Sequence, residues 1–100
     1  MAYRLIFAPL AERDLAEIDD FISVESPVAA QRMILRFEKA AMMLTERPYV
    51  GATVTSPKRR GLRKWTVSPY VIFYRIADEQ LQIVRILHSA RDIDRQLGAE

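Results

Sequence analysis

A basic cluster at residues 58–64 is the part of this sequence whose residue types and spacing point most directly to chemistry. Five of its seven residues are cationic, no acid lies among them, and Trp65 follows directly. The cationic residues are Lys58, Arg59, Arg60, Arg63 and Lys64. Cations grouped in this way attract a polyanion, either nucleic acid or an acidic protein segment. The alternative is a solvated loop and edge strand, because lysine and arginine also discourage edge pairing.

The charge of the chain is distributed unevenly between its two halves. Before Lys58 the sequence has eight acids and six bases, whereas from Lys58 onward it has nine bases and five acids. The net charge of +2 hides this asymmetry. The distribution favours an acidic partner that approaches the second half, with direct nucleic-acid binding left open.

The composition excludes several classes of protein. Half of the 100 residues are hydrophobic and 28% are charged, which is typical of a globular protein with one core, so we expect a single domain over residues 1–100. Cysteine is absent, so neither disulfides nor thiolate ligands can form. We predict no cofactor and no metal site.

No apolar run approaches the ~18 residues that cross a membrane. Residues 1–11 superficially resemble a secretory signal, but the apolar stretch is short and Glu12, Asp14 and Glu17 follow it at once. We therefore expect a cytoplasmic protein that makes no membrane contact.

The elements that must position the basic cluster are three strands in the second half. The segments 61–67, 70–76 and 81–87 are rich in β-branched and aromatic residues, and Ser68-Pro69 and residues 77–80 separate them. This pattern predicts an antiparallel meander whose first strand carries the cations.

The first half predicts a strand followed by two helices. Residues 3–7 alternate as a short strand, and apolar residues recur at helical spacing over 10–24 with acids on a solvated outer face. Ser26-Pro27 opens a second helix that ends at Glu46, because Arg47 precedes a proline. Residues 49–57 form a loop, and the Ser-x-x-Asp spacing of residues 89–92 opens a terminal helix to Leu97.

The fold class predicted from these elements is α+β. The order is β-α-α-β-β-β(-α), with an antiparallel meander sheet packed on a two-helix hairpin. Leu35, Met42 and Met43 lie off the main apolar stripe of the second helix. Either they widen its core face or they expose apolar surface that a partner covers.

Both faces of the predicted sheet are largely apolar. A tight turn at residues 77–80 pairs Ile76 with Leu81, Tyr74 with Ile83 and Ile72 with Arg85. The hairpin covers only one face, and we place Trp65 beneath it. The other face would then expose an apolar patch, so we expect a second macromolecule to lie across it, held also by nearby arginines.

The sequence resembles the ParE branch of the RelE/ParE toxin superfamily of bacterial toxin-antitoxin modules. The resemblance covers nearly the whole chain and is most specific at residues 70–75, YVIFYR, and residues 85–92, RILHSARD. It implies a cytoplasmic toxin that a ParD-like antitoxin neutralises with an acidic tail. It further implies inhibition of DNA gyrase, whereas RelE relatives cut messenger RNA on the ribosome.

The nuclease pattern of RelE toxins is incomplete in this sequence. The resemblance places Val71 where an arginine is expected and Leu62 where a lysine is expected, and residues 92–100 contain no tyrosine. We therefore predict a non-enzymatic gyrase inhibitor, with a ribosome-dependent mRNA endoribonuclease as the alternative. The antitoxin- or target-binding residues would be Arg59, Arg60, Arg63, Lys64, Arg75 and Arg85. If the chain is a nuclease, its catalytic residues would be Lys64, Arg85, His88 and Arg91.

Overall fold

The computed structural model describes residues 2–98 and confirms the predicted order of elements. The elements are β1 (Arg4–Phe7), α1 (Pro9–Ser23), α2 (Pro27–Glu46), β2 (Ala52–Thr53), β3 (Leu62–Val67), β4 (Tyr70–Ala77), β5 (Gln80–His88) and α3 (Ile93–Leu97), with a 3₁₀ helix at Pro57–Arg59. The two-residue strand β2 lies inside the segment predicted to be a loop. None of the helices among these residues is both long and apolar enough to cross a membrane.

The two long helices begin where the sequence predicts. Pro9 occupies the first turn of α1, and Ser26 caps α2 because its Oγ accepts a hydrogen bond from the Ala29 N–H at 3.1 Å. One face of each helix packs on the sheet. The buried residues of α2 include Ala30, Met33, Phe37, Ala41 and Leu44, as its apolar stripe predicts.

The sheet is mixed rather than purely antiparallel. Its strand order is β1-β5-β4-β3-β2, and the predicted meander of β3, β4 and β5 is antiparallel. β1 pairs in parallel with β5, from Arg4 opposite Gln80 to Phe7 opposite Ile83. Because β1 stops at Phe7, α1 rather than a strand lies beside the second half of β5.

A register shift in β5 changes which side chains share a face. Tyr74 pairs with Ile83 as predicted, but Phe73 pairs with Arg85, so Val84 is an extra residue and Ile72 pairs with Ile86. The predicted pairing of Ile72 with Arg85 is therefore wrong. A bulge of this kind leaves one residue unpaired, and the side chains beyond it point to the opposite sheet faces from those predicted. The two-residue alternation of apolar side chains in the sequence does not reveal such a bulge.

The sheet face that packs on α1 and α2 is called here the helix face, and the opposite face the far face. The helix face carries Tyr70, Ile72, Tyr74, Ile83 and Ile86, with Trp65 partly buried beside them. Thus Trp65 packs in the core beneath the hairpin, as the sequence predicts. The predicted pairing of Ile72 with Arg85 would place Ile86 on the opposite face, and the bulge explains the difference.

The far face is sealed by the chain itself, which contradicts the predicted exposed patch. Leu62, Phe73, Val84, Leu87 and Leu97 form a second buried cluster, in which Leu97 is only 1% exposed. Leu97 comes from α3, and Val54 and Ile93 pack at the border. The short terminal helix therefore covers the surface that is predicted to bind a second macromolecule.

The exposed large apolar side chains of the described residues lie mainly on the helices. They are Phe21, Val24, Val28, Leu35, Met42 and, just after α2, Tyr49. Leu35 is 56% exposed and Met42 60% exposed, whereas Met43 is partly buried against the core. The alternative that Leu35 and Met42 expose apolar surface is therefore the one realised.

Candidate functional site: a cationic cleft and an edge groove

The basic cluster does not form one continuous surface. Lys58, Arg59 and Lys64 line a cleft on the far face, whereas Arg63 bonds to the segment after α2 and Arg60 is exposed outside the cleft. Arg63 and Lys64 are adjacent in β3, and successive residues of a strand point to opposite faces of the sheet. Their side chains therefore lie on different faces.

This cleft, called here the cationic cleft, lies between the segment 54–59, strands β3 and β4, and α3. Its volume is about 850 Å³. Val71, Phe73 and Leu97 contribute apolar side chains, and Thr55, Ser56 and Ser89 contribute hydroxyls. Asp94 is the one acid among its lining residues within the described part of the chain.

Arg59 is the most constrained cation of the cleft. Its Nη2 donates a hydrogen bond to the main-chain oxygen of Asp94 at 3.1 Å, which ties the 3₁₀ helix to α3. Its Nε is buried and has no hydrogen-bond partner within the described residues. Lys58 and Lys64 are exposed, and neither forms an ion pair with a carboxylate of residues 2–98.

Arg63 holds the segment that follows α2. Its Nη1 donates to the Gly51 oxygen at 2.8 Å and to the Tyr49 oxygen at 3.2 Å, and its guanidinium lies 5.1 Å from the centroid of the Tyr49 ring. These contacts use two carbonyls and one aromatic face. The predicted partner-binding role of Arg63 therefore competes with a structural one.

Tyr74 completes this anchor from inside the core. Its hydroxyl donates to the Pro48 oxygen at 2.8 Å and accepts from the Gly51 N–H at 2.9 Å. A Cβ on Gly51 would collide with the Tyr74 hydroxyl and lie 2.7 Å from the Lys64 oxygen, so this close approach needs glycine. Burial raises the pKa of Tyr74, while the Gly51 hydrogen bond and the charge of Arg63 lower it in part.

Arg85 is buried, which corrects the prediction that places it on a partner-binding surface. Its Nε donates to Asp14 Oδ2 at 2.8 Å, and its Nη2 donates to Asp14 Oδ1 at 3.0 Å. Its Nη1 donates to the Gln96 oxygen at 2.8 Å. Arg85 therefore links α1, β5 and α3, and the bulge at Val84 directs it to the sheet edge.

Asp14 is the residue that the sequence reasoning missed. It is 7% exposed, although the acids of α1 were predicted to be solvated, and its Oδ2 also accepts the Ile86 N–H at 2.9 Å. Its position offered a signal, because Asp14 lies three residues after Ala11 and four before Ile18, on the apolar face of the helix. An acid on that face predicts an internal cationic partner.

A second hollow, called here the edge groove, lies where α1 crosses beside β5. Its volume is about 350 Å³, and its lining residues include Phe21, Tyr70, His88 and Arg91 together with Asp14 and Arg85. The His88 Nδ1 accepts a hydrogen bond from the Ala90 N–H at 3.0 Å, and its ring meets the Tyr70 ring edge to face at 5.3 Å between centroids.

The four nuclease candidates are divided between the two hollows. Lys64 lies in the cationic cleft, whereas Arg85, His88 and Arg91 line the edge groove.

Arg75, the remaining partner-binding candidate, is half-buried on β4 and pairs with Leu62 and Gln82 across the sheet. Asp92, rather than Ser89, caps α3, because its Oδ1 accepts from the Arg95 N–H at 3.3 Å. Residues 2–98 contain no group of three or more histidine or acidic side chains that could hold a metal ion.

Comparison with known proteins places these features in context. Residues 5–93 match a family described as the ParE toxin of the type II toxin-antitoxin system parDE. The chain is 47% identical over 78 residues to "Toxin RelE2" of Caulobacter vibrioides, an alignment that covers 78% of this chain and 85% of that protein.

Two solved structures share the fold. The chromosomal ParDE toxin-antitoxin system from P. aeruginosa matches with a TM-score of 0.74 and 23% identity, covering 87% of this chain and 96% of the other. The toxin-antitoxin complex RelBE2 from Mycobacterium tuberculosis matches with a TM-score of 0.64 and 25% identity, covering 88% and 99%. The fold of this chain is therefore shared with structures from both a ParDE and a RelBE system.

Proposed function

We propose, for a chain that belongs to the ParE toxin family of type II toxin-antitoxin systems, that its toxicity comes from inhibiting DNA gyrase without catalysis of its own. The observation that carries this choice is the burial of Arg85. A guanidinium held by both oxygens of Asp14 adds little net positive charge to a reaction site. A metal-free ribonuclease needs such free charge to stabilise its transition state.

The other nuclease groups support the same choice. Lys64 lies in the cationic cleft, away from the edge groove that holds His88 and Arg91. Groups that act together in catalysis must be held within hydrogen-bond reach of the reacting atoms. Val71 and Leu62, which stand where the resemblance expects cations, have apolar side chains that pack in the far-face cluster.

Purified protein tests the choice between target and enzyme directly. Added to gyrase, ATP and relaxed plasmid, it should block supercoiling and leave broken plasmid after detergent and protease treatment. The same protein added to translating ribosomes should leave messenger RNA intact. Codon-positioned cleavage of the message, together with fully active gyrase, would reject the proposal.

A ribosome-dependent endoribonuclease is the second candidate, favoured by the relative named RelE2 and by His88 beside Tyr70. On this alternative, the wild type cleaves translating messages at codon positions within minutes of induction, and His88→Ala abolishes this cleavage. His88→Ala should leave gyrase inhibition unchanged on the first proposal, so one variant separates the two functions.

The antitoxin is proposed to be ParD-like and to bind the helix hairpin. Two of the similar solved structures come from toxin-antitoxin systems, and the far face here is already sealed. Val28, Leu35 and Met42 are each more than half exposed and lie seven residues apart, so they form one stripe along α2. An amphipathic antitoxin helix would bury that stripe.

Antitoxin affinity tests this placement. Replacing Leu35 and Met42 with Ser should raise the dissociation constant at least tenfold, because two apolar contacts are lost at once. Gln31→Ser with Lys39→Ser, on the same exposed side of α2, provides the matched control and should change it less than threefold. Equal losses for the two pairs would place the antitoxin elsewhere.

A further inference from the structure

The two lysines of the cationic cleft have no carboxylate partner within the described residues, so their position calls for an explanation. Three cations, Lys58, Arg59 and Lys64, approach it from two elements, the 3₁₀ helix and β3. No carboxylate within the described residues pairs with them in an ion pair. Asp94, the one acid that lines the cleft among residues 2–98, accepts from Arg59 through its main-chain oxygen.

We propose that the cationic cleft binds a backbone phosphate of DNA, an inference that rests on the proposed function because gyrase holds DNA. The phosphate would receive charge from Lys58 and Lys64 and a directed hydrogen bond from Arg59. Phosphate is a strong acceptor with several oxygens, so it can satisfy donors on both sides of the cleft.

The fixed guanidinium of Arg59 supports binding of an acceptor in the cleft. Its Nη2 is held by the Asp94 oxygen, so the side chain is oriented before a ligand arrives. Preorganised donors lose less conformational entropy on binding.

The hydroxyls and the volume of the cleft fit a sugar-phosphate segment. Thr55, Ser56 and Ser89 supply neutral donors, which contact phosphates commonly in complexes with DNA. The volume of about 850 Å³ exceeds what one phosphate fills and leaves space for the flanking sugars. Within the described residues, no histidine or tyrosine lines the cleft, so we infer binding without cleavage.

Binding of a fluorescently labelled DNA duplex in the absence of gyrase tests the cleft itself. For the wild-type chain, log affinity should fall linearly with log salt concentration. Lys58→Gln with Lys64→Gln should weaken binding at least tenfold at low salt and reduce the salt slope by about 1, since the one phosphate contact that is lost contributes about 0.9. Both side chains are exposed, so the variant should keep the circular dichroism spectrum and the unfolding midpoint of the wild type.

A matched control removes the same charge elsewhere. Arg32→Gln with Lys39→Gln, exposed on α2, should change affinity less than twofold. Arg59→Lys keeps the charge but removes the planar guanidinium that Asp94 orients, and should weaken binding by a smaller factor than the double variant. Equal losses for the cleft and the α2 pairs, or no loss for either, would overturn the proposal.

The acidic-protein alternative and the gyrase proposal are separated by two further arms. A polyglutamate peptide that binds more tightly than DNA and displaces it from the cleft would assign the cleft to a protein partner and overturn the phosphate assignment. If the cleft variants lose DNA binding while the wild type leaves gyrase fully active, the proposed target fails and the cleft assignment stands. If the wild type and all variants inhibit gyrase equally and the wild type does not bind DNA, the cleft assignment fails and the proposed target stands.

Discussion

The edge groove and the cationic cleft both contain arginine, yet Arg85 in the groove and Arg59 in the cleft have different roles. In the edge groove, Arg85 is 7% exposed and is neutralised by Asp14 at 2.8 and 3.0 Å. In the cationic cleft, Arg59 leaves its Nε without a partner and the adjoining lysines have no carboxylate among the described residues. The difference shows that the surroundings of a cation, rather than its residue type, determine whether its role is structural or ligand-binding.

The physical reason is the cost of removing charge from water. A fully buried cation is tolerated only when it is paired and hydrogen-bonded, so Arg85 requires Asp14. An exposed lysine keeps its hydration and needs no partner to be stable. Mutations that remove one charge should therefore affect stability in the groove and binding in the cleft.

Asp14→Ala should produce the largest effect and tests the groove side of the comparison. It leaves the Arg85 charge and the Ile86 N–H without their acceptor, so we expect a loss of about 3–5 kcal/mol in the free energy of unfolding. Urea denaturation measures it. The matched double variant, Asp14→Leu with Arg85→Met, should lose less than the single one. A loss below about 1 kcal/mol for Asp14→Ala would contradict the structural role of the pair.

Tyr74→Phe removes a buried neutral hydroxyl, so it extends the comparison from a buried ion pair to a buried uncharged group. Loss of the Pro48 and Gly51 hydrogen bonds should cost about 1–3 kcal/mol. Because burial raises the pKa of Tyr74, its contribution to stability is complete below the unfolded value near 10 and is lost as the pH rises through the folded pKa.

Unfolding curves recorded from pH 8 to 12 check this sign. The variant should lose less stability above pH 10 than the wild type. Some dependence should remain, because a hydrogen bond to Tyr49 also raises the pKa of Tyr3. Identical slopes in the two proteins would show that Tyr74 does not contribute to the alkaline loss.

Arg63→Met tests an intermediate case, a partly exposed cation whose partners are carbonyls. Its bonds to the Tyr49 and Gly51 oxygens and its contact with the Tyr49 ring should make its loss cost about 1 kcal/mol, measured by thermal unfolding. Arg60→Met is the control, because Arg60 is exposed beside it in sequence, and should be neutral. Equal midpoints for both variants would assign no structural role to Arg63.

Lys64→Met should have the smallest effect on stability and completes the comparison. Surface changes away from packing or paired groups are usually within ±0.5 kcal/mol, so its urea midpoint should match that of the wild type. Removing one of several neighbouring like charges can even stabilise the chain slightly at low salt. A loss comparable with that of Asp14→Ala would abolish the distinction between groove and cleft.

Most of the fold can be predicted from the spacing of apolar residues and from the residues that begin and end helices and turns. Ser26-Pro27 and Arg47-Pro48 set the limits of α2, and the apolar spacing identifies its core face. The meander follows from β-branched and aromatic runs separated by turns. These local patterns predict the elements correctly because the tertiary contacts of the fold do not oppose the local preferences.

The site was predictable only in part, because its decisive contacts are distant in the chain. The bulge at Val84 shifts the register of the last four residues of β5 and brings Arg85 to Asp14, which is 71 residues away. The sealing of the far face depends on α3, five residues long and too short for a reliable period. The basic cluster was identified from composition, but its division between two faces required the register of β3.

The hydrogen bond from the Ile86 N–H to Asp14 has a consequence for the behaviour of the protein at high concentration. Beyond Ile83 the edge of β5 has α1 rather than a strand beside it, and a strand edge without a paired strand can recruit identical chains into growing aggregates. The carboxylate occupies the donor that such a recruit would use. Loss of Asp14 should therefore lower solubility as well as stability, with turbidity increasing as the protein is concentrated.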